Sequence, residues 1–214
     1  MEIFISIDGV LRNTIQKFDY HYNEAYLADD LTFEEENTFE YGVTEPIQND
    51  NLLNSYKFQS TEEFEHFLFI EYPIEIFGHA GLSYSTTFTE LHKLMYENQQ
   101  HSYTLIGLDE LGKAKPGTLF FLSKNGYLGN HIKFIRSEDI VNQWDKCDVW
   151  ITDNNSILDA CPENKTAIKF NTTYNQYFTY KTEISKLSEI QEPWLSYSGN
   201  TTTLISTESQ TNVE

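Results

Sequence analysis

Basic residues are scarce in this chain. Lys and Arg together number 14 against 33 Asp and Glu, giving a formal net charge of −19. A surface that neutralises nucleic-acid phosphates, or adheres to an anionic membrane, needs net basic character. Neither nucleic acid nor membrane is therefore expected as a partner. Cysteine is nearly absent. Cys147 and Cys161 are the only two, too few for a disulfide framework and without the CxxC spacing of a metal site. They read as small buried apolar residues. No apolar run reaches the roughly 18 residues of a membrane helix. The opening MEIFISIDGVL places Glu2 where a secretion signal carries positive charge. These absences point to a soluble, cytoplasmic chain with reduced thiols. In that setting the Asn-x-Ser/Thr triplets at Asn154, Asn164, Asn171 and Asn200 have no glycosylation role.

Aromatic residues are abundant, with 15 Phe and 14 Tyr, and hydrophobic residues make up 39% of the chain. That supply builds a sizeable core and argues against wholesale disorder. A length of 214 residues suits one medium domain, or a core with one inserted subdomain.

Ile3 to Ile7 form a short apolar run ending at Asp8-Gly9, the pattern of a buried strand that stops at a turn. The next stretch is acidic. It contains Asp29-Asp30 and Glu34-Glu35-Glu36, and Lys57 is its only Lys or Arg between Asp19 and Glu75. Such runs usually form a solvated face, and they can also attract a basic partner. Ser60-Thr61-Glu62-Glu63, followed by Phe64, Phe67, Leu68 and Tyr72, predicts a capped amphipathic helix that Pro73 ends or kinks. The aromatic stripe Phe64, Phe67, Phe69, Tyr72 and Phe77 reads as core, or in part as an exposed interface. Phe88, Leu91, Leu94 and Met95 mark a second helix.

From residue 102 the rhythm changes. Strands are predicted over 103–108, 131–135, 148–152 and 166–170. Between them lie a helix opened by Pro116-Gly117 that carries Leu119, Phe120 and Leu122, a helix over 140–144 capped by Ser137-Glu138-Asp139, and a short helix over 156–160. This alternation with short links specifies an α/β fold, a doubly wound parallel sheet with right-handed crossovers. Ser, Thr, Asn and Glu dominate the C-terminal stretch, read as a disordered tail over 196–214.

In such a sheet, ligands bind beyond the carboxyl ends of the strands. Asp8 and Asp153 sit there, after the first and fourth core strands, and this topology puts those two ends side by side. Two converging carboxylates can hold one Mg²⁺. Asp8 can equally be a structural turn residue, and Asp153 the N-cap of the helix over 156–160. His21, His66, His79, His92, His101 and His131 are scattered without metal spacing.

Ile3 to Asn13 resembles the first motif of the haloacid-dehalogenase-like (HAD) hydrolases, an apolar strand followed by Asp-x-Asp-Gly-(Thr/Val)-Leu. Asp148 to Asn154 resembles their fourth motif, an apolar strand ending in an acid pair. The resemblance covers residues 1–13 and 86–175. It implies a HAD-like Rossmannoid core over 1–13 and 86–195, with residues 14–85 as an acidic cap inserted after the first strand. The family's nucleophile slot holds Ser6 here, and Asp8 matches its general acid/base. A Ser phosphoester is far more inert than the family's acyl phosphate, because phosphate monoesters hydrolyse extremely slowly. Ser6 also removes one negative charge from the metal site. The second motif's hydroxyl is missing near Gly107, Leu108 and Asp109, and neither Lys133 nor Arg136 fits the third motif clearly. Asp153 matches the first acid of the fourth motif, and Asn154 takes the place of the second.

The resemblance and its departures imply a degenerate site, with binding or scaffolding through the acidic cap to a protein partner. The rival expectation is a Mg²⁺-dependent phosphatase or nucleotidase acting on a small phosphate ester. There Asp8, Asp153 and Asn154 would hold a weakly bound metal, and Asp8 with Ser6 would be the catalytic pair. Ser6 can otherwise be a small filler in a former active site. Richness in Asn, Ile, Tyr and Phe with only 5 Pro fits an AT-rich genome, such as that of a virus.

Overall fold

A computed structural model describes residues 1–28, 39–44, 47 and 52–195 of the chain. Strand β1 (Glu2–Ser6) leads through a tight turn to β2 (Arg12–Asn13) and helix α1 (Thr14–Tyr26). Helix α2 (Thr61–His66) continues into two π-helical turns, Phe67–Glu71 and Ile74–Gly78, and then strand β3 (Gly81–Leu82). Helix α3 (Thr87–Glu97), β4 (Ser102–Leu108), α4 (Lys115–Lys124) and β5 (Ile132–Ile135) follow. The chain then forms α5 (Ile140–Gln143), β6 (Val149–Thr152), α6 (Asn155–Asp159), β7 (Thr166–Phe170) and β8 (Glu183–Ile184).

Strand β1 is apolar on both faces, so it needs cover above and below and a partner on each edge. It pairs in parallel with β4 and with β6, which set Ile5 opposite both Leu105 and Ile151. The six-stranded parallel sheet runs β5-β4-β1-β6-β7-β8. Ile3, Ile5 and Ile7 pack with Phe88 and Leu91 of α3 and Phe121 of α4. Phe4 packs on the other face with Ile140 of α5, Trp150, and Ile157 of α6. Each fully buried Ile contributes about 1.5–3 kcal/mol of transfer free energy. The winding direction reverses between β1 and β6, which places a crevice beyond their carboxyl ends.

The segment between β2 and β3 has its own core. Phe18 and Tyr22 of α1 meet Tyr56 edge-on, at centroid distances of 4.8 and 5.0 Å, and Phe67 packs on Phe18 at 5.3 Å. Most of the aromatic stripe lies inside, with Phe67, Phe69 and Phe77 buried. The acidic runs Asp29-Asp30 and Glu34 to Glu36, and the tail over 196–214, lie outside the described residues.

The core strands fall within a residue of the expected positions. Four local readings change. Helix α1 had not been anticipated. Its pattern Phe18, His21, Tyr22, Ala25 is helical, and the Asn13 side chain caps it by accepting from the Gln16 amide at 3.1 Å. The Ser60 cap is present, but α2 ends at His66 and is followed by one π turn on each side of Pro73. In α4 the expected face is corrected. Leu119 and Phe120 are exposed, while Gly117, Thr118, Phe121 and Leu122 are buried. The cause is Gly117, where a Cβ would lie 2.7 Å from the Pro73 carbonyl oxygen, so the Ile74–Gly78 turn sits directly on that face. The short helix after β6 spans Asn155–Asp159, one residue earlier than expected.

His21 is 8% exposed, and among the described residues neither ring nitrogen has a hydrogen-bond partner. It stacks on Tyr72 at 4.8 Å and meets Tyr20 edge-on at 5.0 Å. Burial, assisted by Lys17, holds its pKa below the usual 6.5, against the opposing pull of Glu24 and Glu75. The Glu24 carboxylate comes within 3.4 Å of Nδ1 but outside hydrogen-bonding geometry. Below about pH 6.5 the unfolded chain takes a proton that the fold resists, so stability present above that pH is lost as acid drives the ring toward protonation. Urea titrations between about pH 7.5 and 5 are expected to show wild type losing more stability than His21→Phe. Equal losses would assign the acid sensitivity to other groups.

Candidate functional site

The site grows from the turn after β1. The Ile7 amide donates to the Ile106 carbonyl at 2.8 Å, which extends the strand by one residue. The chain then folds back, with Leu11 and Arg12 amides donating to the Ile7 carbonyl at 3.0 and 3.1 Å. Gly9 makes this turn possible. Its φ is +71°, a left-handed conformation that costs other L-residues about 1–2 kcal/mol. It also lies against Asp153, where a Cβ would fall 1.8 Å from Oδ2. The turn after β1 and the acid after β6 therefore meet at the switch point, as the topology predicts.

Asp8 is held by Arg12. The guanidinium donates through Nε to Oδ1 at 2.7 Å and through Nη2 to Oδ2 at 3.1 Å, and the Thr14 hydroxyl also donates to Oδ1. Bidentate pairing of this kind is among the stronger polar contacts in proteins. Arg12 is fully buried. Its Nη1 donates to the Phe77 carbonyl at 2.8 Å and the Thr118 hydroxyl at 2.9 Å. Its plane lies over the rings of Phe77 and Phe121, at 4.9 and 5.7 Å. One cation thus joins the turn, the segment between β2 and β3, and α4.

Ser6 points elsewhere. Its hydroxyl donates to Thr152 Oγ1 at 2.8 Å and accepts from the Trp150 indole at 3.2 Å. The register that sets Phe4 opposite Trp150 carries Ser6 toward Thr152 on the same face. Ser6 and Asp8, the expected catalytic pair, are joined by no hydrogen bond among the described residues. Asp153 is buried, and its Oδ2 accepts from the Tyr174 hydroxyl. Its carbonyl accepts from Asn175 Nδ2 at 3.0 Å. The expected role of Asp153 as helix N-cap passes to Asn154, whose Oδ1 accepts from the Ile157 amide at 2.9 Å.

The remaining motif positions have other partners. Asp109, at the end of β4, is buried, and its carboxylate accepts from the amides of Lys113, Ala114 and Lys115 at 2.9–3.1 Å. It thereby occupies the positive end of α4 itself. Lys133 donates to Gln143, and Arg136 pairs at 3.2 Å with Glu138 in solvent. Neither of those contacts reaches Asp8.

The donor set does not suit Mg²⁺, which takes several oxygen ligands and retains waters. Both Asp8 oxygens are held by a guanidinium, and Asp153 is packed between Gly9 and Tyr174. Among the described residues no group of three or more His, Cys, Asp and Glu is placed to hold a metal. A cavity of about 640 Å³ opens beside α1, where Lys17, Tyr20 and Glu24 line it.

The chain matches no protein-family model and no curated protein. The geometry alone therefore carries the reading of the site. Arg12, Trp150, Thr152 and Tyr174 were not anticipated as parts of it. Arg12 had a signal, four residues after Asp8 and directly after two apolar residues. Trp150 and Thr152 alternate on β6 as Phe4 and Ser6 do on β1. Tyr174 comes from beyond β7 and carries no local signature.

Replacing Arg12 by Met strips the Phe77 carbonyl and the Thr118 hydroxyl of their donor and leaves Asp8 without its counter-charge. Truncating one partner of a buried pair costs about 3–5 kcal/mol. Asp8 is 28% exposed on its side chain, so solvent recovers part of that. A loss of roughly 2–3 kcal/mol in urea denaturation is expected. Gly9→Ala should cost at least about 2 kcal/mol, from φ strain and the clash with Asp153. Losses under about 0.5 kcal/mol, the range of ordinary surface changes, would show that neither residue anchors the turn.

Proposed function

We propose that the chain is a HAD-like α/β protein with a degenerate hydrolytic centre, acting by binding or scaffolding, with its acidic insert meeting a protein partner. The observation that carries this reading is the Ser6 hydroxyl. It stands in the nucleophile slot, yet it is buried, donates to Thr152 and accepts from Trp150. A catalytic serine needs an aligned base and a cradle for the oxyanion or phosphate. Ser6 has neither, because Asp8 is committed to Arg12 and the amides at the start of α4 are filled by Asp109. The charge balance agrees. Arg12 supplies the positive charge that a cation would otherwise bring to Asp8. The meeting of Asp8-Gly9 with Asp153 is the feature that favours the rival reading, a Mg²⁺-dependent phosphatase or nucleotidase.

Turnover of para-nitrophenyl phosphate and a panel of phosphate esters with Mg²⁺ is expected to stay at background for wild type. Clear activity that Asp8→Asn abolishes would overturn the proposal in favour of its rival. Calorimetry is expected to find no Mg²⁺ site tighter than the millimolar range. Ser6→Asp is expected to remain inactive, since Asp8 stays paired. Gained hydrolysis would mean that the two acids still support chemistry.

A further inference from the structure

Two lysines meet at the edge of the sheet, in a chain that carries only 14 Lys and Arg against 33 acids. Lys133 lies on β5, the edge strand, opposite Ile106 of β4. Ile106 packs with Phe4 and with Ile140 of α5, so Lys133 belongs to the face that α5 covers. Its Nζ stands 5.9 Å from the centre of the buried Phe4 ring and donates to Gln143 Oε1. Gln143 is itself buried. Its Nε2 donates to the Asp139 carbonyl at 3.3 Å, which turns the amide oxygen toward the lysine. The other neighbour is Lys146, in the turn Trp144–Lys146 after α5, whose ammonium comes within hydrogen-bonding reach of Lys133. Among the described residues neither lysine forms an ion pair, whereas Lys93, Lys165 and Lys169 all do.

A lysine on an edge strand commonly guards against pairing with another chain. That role needs one solvated charge, with no second cation beside it and no buried amide to hold it. Burial, and then the charge of Lys146, keep the Lys133 pKa below the usual 10.5, against the opposing pull of Asp139 and Cys147. Loss of water and a neighbouring cation are the two ways in which a lysine is made nucleophilic.

The neighbours also select the electrophile. An aldehyde would form an imine, which either loses the N–H that Gln143 accepts or, protonated, keeps its charge beside Lys146. An acyl donor forms an amide instead. The product is uncharged and retains one N–H for Gln143 Oε1. Lys146 narrows the choice further, because an ammonium draws an anionic donor and stabilises the charge on a departing phosphate.

We propose that Lys133 is an acylation site for acyl phosphates, with Gln143 positioning the amine and Lys146 receiving the phosphate. The lone pair of the neutral amine attacks the acyl carbon. The bond from that carbon to the phosphate oxygen breaks, its electron pair leaves with phosphate, and the extra proton on nitrogen passes to water. This site is independent of the reading of the centre at Asp8.

The test treats the full chain with acetyl phosphate near pH 8 to low conversion and reads acetylation lysine by lysine by peptide mass spectrometry. Exposure alone ranks half-buried Lys133 behind the exposed Lys124 and Lys186. Lys133 is instead expected to react about fivefold faster than either. Lys146→Gln should slow Lys133 by about threefold or more, and Lys146→Arg, which keeps the charge, should retain most of the rate. The Lys133 rate is expected to level off below pH 10.5 and to do so at higher pH in Lys146→Gln. With the neutral thioester S-acetyl-N-acetylcysteamine, the preference for Lys133 over Lys124 is expected to fall at least about twofold. Lys146 is exposed, so an unchanged urea midpoint accompanies its replacement and the rate change is read as chemistry. A Lys133 rate no higher than that of the exposed lysines, or one indifferent to Lys146→Gln, overturns the proposal. Equal preference with the thioester overturns acyl phosphate as the donor.

Discussion

The buried ion pair between Arg12 and Asp8 organises the rest of the molecule. A guanidinium removed from water is costly, and the cost is offset only when its donors are all met with good geometry. Here each guanidinium nitrogen has an acceptor, drawn from the turn after β1, the carbonyl of Phe77 and the hydroxyls of Thr14 and Thr118. The aromatic faces of Phe77 and Phe121 complete the enclosure. The same interaction therefore shapes the loop at the switch point and ties the inserted segment to α4. It also commits both Asp8 oxygens to donors, so that on the proposed reading the architecture and the degenerate site have one cause.

The sheet was legible because its strands are buried on both faces. Continuous apolar runs such as Ile3-Phe4-Ile5 and Val149-Trp150-Ile151 have no other stable placement in a chain of this length, and short links between them fix parallel pairing. Helix α1 was harder to see. It lacks acidic residues in its first turn and basic ones in its last, the charge signs that mark helix ends. The π turns were invisible for a different reason. The second of them, Ile74–Gly78, closes on Gly117 of α4, a contact between residues about forty positions apart that depends on the packing of whole elements.

At the candidate site, the positions of Asp8 and Asp153 were readable and their partners were not. Topology alone brings the two acids to neighbouring strand ends. Whether each is free or committed depends on side chains contributed from elsewhere: Arg12 by local spacing, Tyr174 by a long connection after β7. Ser6 shows the distinction sharply. Sequence placed it in a slot, and only the register between β1 and β6 reveals that its hydroxyl is absorbed by Thr152 and Trp150.

The short ribbon of β2 and β3 has an evolutionary corollary. Arg12 pairs with Leu82 and Asn13 with Gly81, so the inserted segment leaves and rejoins the sheet domain through adjacent residues. The entropy of bringing those ends together is met at the ribbon, whatever lies between them, and lengthening a closed loop adds only slowly to it. Outside the Ile74–Gly78 turn, which holds Arg12 and packs on α4, the interior of the insertion can therefore change in length at little entropic cost to the sheet.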